Sequence, residues 1–468
     1  MRLRWAVIVL LLLRAAQAQE SPLHAELRRE RERISAACDR LLSIGSCAYT
    51  LFTDHPLHIA AGSMPPQNGF GVGGAFVWSK NTPNWRLSWD VDAVGAFNGS
   101  YRAGGYMKMV HNPHPKINPI KVTVPGEAPD NTKASTRAPS FTHPFTLFNI
   151  YAQTISLNQV NYFGVGNDTI PAGKSLFGMR ETIVGANVIK PVFEIAAIRW
   201  LNLALLGEAN GRFPSIRGEH GHSTPSIETL YDNVTAPGLS SQPGFAQFAQ
   251  GIRIKPAIGN LQLNYLGKFE EFVAADSQFS FLRWTVDLDH TYSLYGTSIS
   301  RPSETLGPDS CAPHGEQCAP VSFTRNLSGS IGVRFLLAES ITSASSVVPF
   351  YFQQTLGGSN INSVMALGSY QDYRFRAPNL LLLQESFEHS VWGPFGLKFM
   401  ADQGRVALDR SDIGFSDLKY SFAAGLTLRA GAFPMVSLMY AWGGTEGHRN
   451  VFNMNTSLLG SSIRPSLD

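Results

Sequence analysis

Few residues of this 468-residue sequence stand at spacings that could do chemistry. Glu219-His220-Gly221-His222 brings two imidazoles and a carboxylate into four residues, a donor set that could hold a divalent metal. It sits in a polar stretch, where H-x-H is ordinary loop composition, and no metal is expected there. His111, His290 and His389 fall on runs with strand pattern, so each is expected to be an interfacial or lumenal histidine rather than a catalytic base. Glu270 and Glu271 are adjacent, so on a strand they point to opposite faces and cannot work as an acid–base pair. A hydrolase would need a serine activated by a nearby base, and the sequence has no G-x-S-x-G elbow. It has no phosphate-cradling loop either. The expectation is a protein with no catalytic residues, no metal and no cofactor: not an enzyme.

The four cysteines form two close pairs, Cys38 with Cys47 and Cys311 with Cys318. An even count at short local spacing suits disulfides in an oxidising compartment, and neither pair has the two-residue spacing of a zinc knuckle. Export is expected on other grounds too. Arg2 and Arg4 precede a short apolar core, Trp5 to Leu13, and Ala16-Gln17-Ala18 is a small-residue cleavage site, so residues 1–18 read as a secretory signal peptide. That core is too short for a membrane-spanning helix, which needs ~20 residues. The sequence carries 38 Lys+Arg and 35 Asp+Glu; without Arg2, Arg4 and Arg14 the balance is 35 against 35. This balance, with no basic patch among aromatics, points away from nucleic acid.

The elements that would position any site are strands. Residues 19–55 differ from the rest: His24 to Leu42 is rich in Glu and Arg, with Leu27, Ile34, Leu41 and Leu42 at roughly helical spacing. They predict a short helical periplasmic segment, either a lid or a mobile arm. From there the β pattern runs through residues 56–468. Sixteen strands are predicted, at 70–78, 85–97, 100–111, 144–158, 176–190, 197–209, 244–256, 261–274, 279–295, 325–337, 347–355, 379–389, 395–406, 418–430, 434–442 and 450–459. In the second, Trp85, Leu87, Trp89, Val91 and Ala93 share one face and Arg86, Ser88, Asp90 and Asp92 the other. In the fourteenth, Tyr420, Phe422, Ala424, Leu426 and Leu428 oppose Lys419, Ser421, Thr427 and Arg429.

Alternation alone would also suit a soluble sandwich or propeller. Three features favour an all-β transmembrane antiparallel barrel. The strands are near the ~9–11 residues a tilted spanning strand needs. Trp78, Trp85, Trp392, Tyr440 and Trp442 lie near strand ends, as interfacial girdles do. The opposite face carries charges that a watery lumen tolerates. Such a sheet must close, because every backbone group in lipid must be paired.

One stretch, 367–406, does not fit plain wall or plain loop. Leu367 to Pro378 mixes Gly, Ser, Asn and Pro residues or near neighbours with aromatics, Arg374 and Arg376; it is too broken for a strand and too aromatic for a solvated loop. A strand from Asn379, the turn Trp392-Gly393-Pro394 and a second strand follow. In the last, Phe395, Leu397, Phe399 and Ala401 alternate with Gly396, Lys398, Met400 and Asp402.

These residues resemble the bacterial surface antigen superfamily, the outer-membrane barrels that include BamA and TamA. That family's sixth extracellular loop reads L-R-G-Y and then R-F-R-G, and F-x-D-x-G-x-V follows two strands on. Here stand Leu367-Gly368-Ser369-Tyr370, then Arg374-Phe375-Arg376-Ala377, then Phe399 to Val406 with Asp402 and Gly404, one residue longer before the Asp. Tyr162 to Asp168 (YFGVGND) is similar to the family's aromatic-G-x-G-N turn, and Pro65 to Ala75 to its first strand. The resemblance covers most of 55–460 and is most specific at 364–406. It implies a loop folded back into the lumen, with Tyr370, Arg374, Phe375 and Arg376 facing Asp402 and Gly404 on the wall. The family's loop Arg falls on Gly368, so Arg374 or Arg376 is expected to reach Asp402 instead. Counting strands from a periplasmic N-terminus puts this loop outside, together with 112–143 and 296–324, and puts the long 211–243 inside. The resemblance further implies a protein of the outer membrane of a Gram-negative-type bacterium, working in outer-membrane protein insertion, translocation or surface display. Its partners would be membrane lipid and unfolded or translocated protein clients. The alternatives are a passive pore for small solutes and a lipid-acting barrel hydrolase.

Overall fold

The computed structural model describes residues 56–111, 145–192, 200–302 and 322–454, except 83, 363, 393, 431 and 432, together with Arg28, Glu32 and Leu467. The signal peptide, nearly all of residues 19–55 and the four cysteines lie outside the described residues.

Sixteen long strands make one antiparallel wall in simple up-and-down order. They are β1 (Leu57–Ser63), β2 (Phe70–Asn81), β3 (Trp85–Ala96), β4 (Tyr101–His111), β5 (Thr146–Tyr162), β6 (Ser175–Pro191), β7 (Ala204–Gly218), β8 (Phe245–Ile254), β10 (Leu261–Ala274), β11 (Phe281–Pro302), β12 (Ser322–Ile341), β15 (Asn379–Trp392), β16 (Phe395–Ala407), β17 (Lys419–Ala430), β18 (Phe433–Trp442) and β19 (His448–Met454). A two-residue strand, β9 (Ala257–Ile258), pairs with β10 at one rim. The remaining two, β13 (Gln354–Leu356) and β14 (Phe375–Ala377), form a separate small sheet within the β12–β15 connection.

The wall obeys the two-residue period. On β3 Val91 is 57% exposed and Asp92 2%; on β17 Leu426 is 52% exposed and Thr427 1%. One face of the sheet is therefore an apolar band and the other carries Asp, Glu, Arg, Lys and Asn side chains. Those polar groups are paired across the strands: Arg102 with Asp92 at 2.9 Å, Arg212 with Glu181 at 2.8 Å, Arg334 with Asp287 at 2.8 Å and Lys398 with Glu388 at 2.9 Å. Neighbouring cross-strand pairs of opposite charge are what makes a charged interior face tolerable. Among the aromatics of the wall, Trp78 stacks on Trp89 at 4.9 Å and Tyr440 on Trp442 at 6.0 Å.

The count of sixteen survives, but two members of the predicted set change. β1 replaces nothing in the sequence reading. Its LHIAAGS has only Leu57 and Ile59 to alternate before Ala60-Ala61-Gly62 erases the pattern, yet it pairs with β2 from Leu57↔Phe76 to Ser63↔Phe70. Conversely, the run at 347–355 is not wall. Pro349 sets up a single 3₁₀ turn, Phe350–Phe352, whose three aromatics are all buried, which no one-faced strand would do. The sixth predicted strand also shifts, from 197–209 to Ala204–Gly218.

These two errors invert the side of everything between them. The β7–β8 connection lies at the same rim as the β12–β15 connection, where Phe350 N–H donates to Pro237 O at 2.8 Å and Tyr162 Oη to Thr235 O at 2.5 Å. The strand ends that flank 112–144 and 303–321 lie at the opposite rim. The expected grouping of 112–143 and 296–324 with the 367–378 loop, and of 211–243 against it, is therefore corrected. The long 211–243 segment no longer sits awkwardly among the short turns.

Candidate functional site

The β12–β15 connection, residues 342–378, folds inward and fills the lumen behind one rim. Its first anchor is aromatic. Phe350, fully buried, meets Tyr162 and Phe177 edge-on at 5.2 Å each, and Phe352 meets Phe245 at 4.8 Å and Phe272 at 5.5 Å. Two wall arginines and one loop arginine serve this cluster. Arg212 lies 4.8 Å over the Phe352 ring, Arg283 Nη2 donates to Phe352 O at 2.6 Å, and Arg376 Nη1 donates to Phe350 O at 2.7 Å. Cations over ring faces are stabilised by the ring quadrupole, and a planar guanidinium reaches a carbonyl while stacking. Burial brings Arg376 down to about 10, still charged at neutral pH, and pushes the Tyr373 phenol up.

The second anchor is Asp402. The expected Arg–Asp402 pair is not formed. Asp402 Oδ2 accepts from Leu367 N–H at 2.8 Å and Oδ1 from Gln384 Nε2 at 3.1 Å, while Gln384 also donates to Met365 O at 3.0 Å. Next to it Ser369 N–H donates to Ser421 Oγ at 2.9 Å. The reason is space. The 367–370 turn lies flat on the wall, and a Cβ at Gly368 would come within 2.8 Å of Met365 Sδ and 3.2 Å of Ala441 Cβ. A side chain at 368 would require Met365 to move, and the Leu367 N–H and the Gln384 amide already occupy both Asp402 oxygens. Gly404, two residues along β16, leaves room for Leu356, whose Cδ1 would be 3.0 Å from a Cβ there.

The remaining predicted residues point elsewhere. Arg374, 2% exposed, pairs through Nε with Glu446 and donates through Nη1 to Thr169 Oγ1 at 2.6 Å and through Nη2 to Thr169 O at 2.5 Å. Its guanidinium lies 4.8 Å from the rings of both Phe163 and Phe375. Tyr370 packs edge-on to Phe375 at 5.1 Å and hydrogen-bonds Thr445. The Gly-rich turn after β5 joins the same assembly: Gly166 N–H donates to Arg376 O at 2.7 Å, and Asn167 Nδ2 to Asp417 O at 3.1 Å.

Sequence reasoning missed Asp372, Glu446 and Arg449. Arg449 Nη1 donates to Asp372 Oδ1 at 2.8 Å and to Tyr370 O at 3.1 Å, and its Nη2 reaches Asp372 Oδ2 at 2.5 Å. The signal was an isolated acid inside an aromatic loop and an inward-facing cation on β19. Neither stands out from composition.

The other candidates divide plainly. His220 pairs with Glu228 at 3.0 Å and His222 with Glu219 at 3.4 Å, so the two imidazoles serve different carboxylates. Among the described residues no three potential ligands cluster for a metal. His290 Nε2 meets Tyr265 Oη at 2.8 Å, His389 Nδ1 meets Tyr295 Oη at 2.6 Å, and His111 packs on Trp85 at 4.4 Å. Glu270 is buried and accepts from Gln247 at 2.8 Å, whereas Glu271 is exposed on the other face.

One junction of the wall differs from the rest. Consecutive wall strands from β1 to β19 are joined by antiparallel ladders. β1 and β19 lie against each other, but among the described residues no ladder joins them.

No family model and no curated protein matches the chain. Among solved structures it is similar to CdiB from Acinetobacter baumannii, at 12% identity and TM-score 0.44, over 85% of this chain and 58% of that one. It is also similar to BamA from Haemophilus ducreyi lacking POTRA domains 1–3, at 9% identity and TM-score 0.45, over 85% of this chain and 69% of that one. The chain thus spans less than two thirds of the CdiB structure, and the likeness to both is one of fold.

Proposed function

We propose that this chain is an integral outer-membrane barrel that inserts or translocates other polypeptides, opening its wall between β1 and β19. The β1/β19 junction, where no ladder is found among the described residues, carries this reading. Unpaired strand edges are templates for a further strand, since their N–H and C=O groups lack partners. In hydrocarbon that pairing is compulsory, so such an edge is a place where a client strand gains most. The apolar outer face supports a membrane setting. No catalytic step is assigned to the protein; its work is binding and passage.

The passive-pore alternative is less well supported, because the 342–378 loop packs the lumen with aromatics rather than lining a channel. Two assays separate them. Liposomes carrying the protein should speed the folding of an added unfolded outer-membrane barrel over empty liposomes. A pore should instead give steady single-channel conductance in a planar bilayer and no acceleration. Steady conductance without acceleration overturns the proposal.

A further inference from the structure

We propose that Asp372 and Arg449 form a latch that holds the β1/β19 junction shut from inside the lumen. The inference rests on the junction being the part that opens, and adds what restrains it. Arg449 is on β19, one side of the junction, and its guanidinium grips the Asp372 carboxylate with both terminal nitrogens. A two-point fork of this kind fixes geometry as well as position. Asp372 is itself 4% exposed and is held from the other side. Its carbonyl accepts from Asn161 Nδ2 on β5 at 3.2 Å, and Oδ1 accepts from Ser359 N–H at 3.0 Å. The next residue, Tyr373, belongs to the buried cluster that contains Ala60 of β1 and Met64 just beyond it. Asp372 and Tyr373 therefore link β19, through the loop, to β5 and to the lumenal cluster that also holds Ala60 of β1, beside a junction where the described residues show no ladder.

The backbone around the latch is unusual in the way a clamp requires. Tyr373 is a non-glycine residue at φ 59, held by its N–H donating to Gly357 O at 3.0 Å. Left-handed conformations of this kind persist only where the surroundings enforce them. Gly358, at φ +61, lies directly against the pair. A Cβ there would be 2.2 Å from Asp372 Oδ1 and 2.7 Å from Arg449 Nη1, so only glycine lets the fork close.

The test is amide hydrogen exchange of the full-length protein in detergent micelles. Asp372→Asn should speed exchange across 57–63 and 448–454 by at least about tenfold while β10 and β11 keep wild-type protection, since local openings report local restraints. Gly358→Ala, which leaves both charges in place, should do the same, and it stands in if Asp372→Asn does not fold. The swap Asp372→Arg with Arg449→Asp should return part of the protection. Wild-type exchange at both edges in a folded variant overturns the latch. Faster edge exchange with no change in client insertion would keep the latch and remove the insertion reading.

Discussion

Glu446→Ala is the most informative single change for the lumenal loop. It removes the acidic partner of an arginine that is only 2% exposed, in a pair whose acid side chain is 11% exposed. Breaking a dry buried pair from one side costs ~3–5 kcal/mol, because the surviving charge stays buried. Here the loss should be smaller. Arg374 keeps Thr169 Oγ1 at 2.6 Å and Thr169 O at 2.5 Å, and two ring faces at 4.8 Å. Hydrogen bonds to a charged group are worth ~1.5–3 kcal/mol each, so with two retained the expected cost is about 2 kcal/mol. The double change Arg374→Met with Glu446→Leu removes both charges and should recover at least half of it. The assay is protease cutting near Tyr373 under native conditions, which follows the population of the opened loop. A Glu446→Ala loop cut no faster than wild type would refute the reasoning, as would a double mutant cut faster than the single one.

Three further outcomes are expected. Phe350→Ala should destabilise the loop by ~3–5 kcal/mol through the cavity it leaves between Tyr162 and Phe177, read as a lowered unfolding temperature in detergent. Leu426→Arg, on the outward face of β17, should cost up to ~2–4 kcal/mol of insertion stability in lipid vesicles, whereas the same change on the inward side at Ala423 should not carry that lipid cost. Burial acts to raise the Glu228 carboxyl, but the Ser226 hydroxyl and His220 outweigh it and hold it below its ordinary value. A depressed acid stabilises the fold above its unfolded value of 4.5 and loses that contribution as pH falls through the lower folded value, so the 219–244 loop should become easier to cut in that acid window.

The wall was legible in the sequence because a lipid-facing strand must alternate, and β3, β16 and β17 alternate over most of their length. β1 was not, because its small residues Ala60, Ala61 and Gly62 give neither face a signature. The 347–355 run misled for the opposite reason: its first six residues, Val347 to Phe352, are apolar on every side, which suits a buried turn inside a lumen as well as a strand. The loop motif located the residues of the lumenal assembly but not their partners. Arg374 meets Glu446, and Asp402 meets the Leu367 N–H and the Gln384 amide, pairings between distant residues that exist only once the chain is folded. Asp372 and Arg449 lie 77 residues apart, and no local pattern joins them.

The central claim is that polypeptide clients engage the β1/β19 junction. Its most direct measurement is photo-crosslinking in native membranes, with the photoreactive residue placed in turn at Ile59 on β1, Asn450 on β19 and Trp284 on β11. The account predicts adducts with unfolded or inserting proteins from Ile59 and Asn450 and only lipid adducts from Trp284. Equal protein adducts from all three positions, or none from the two edges, would contradict it.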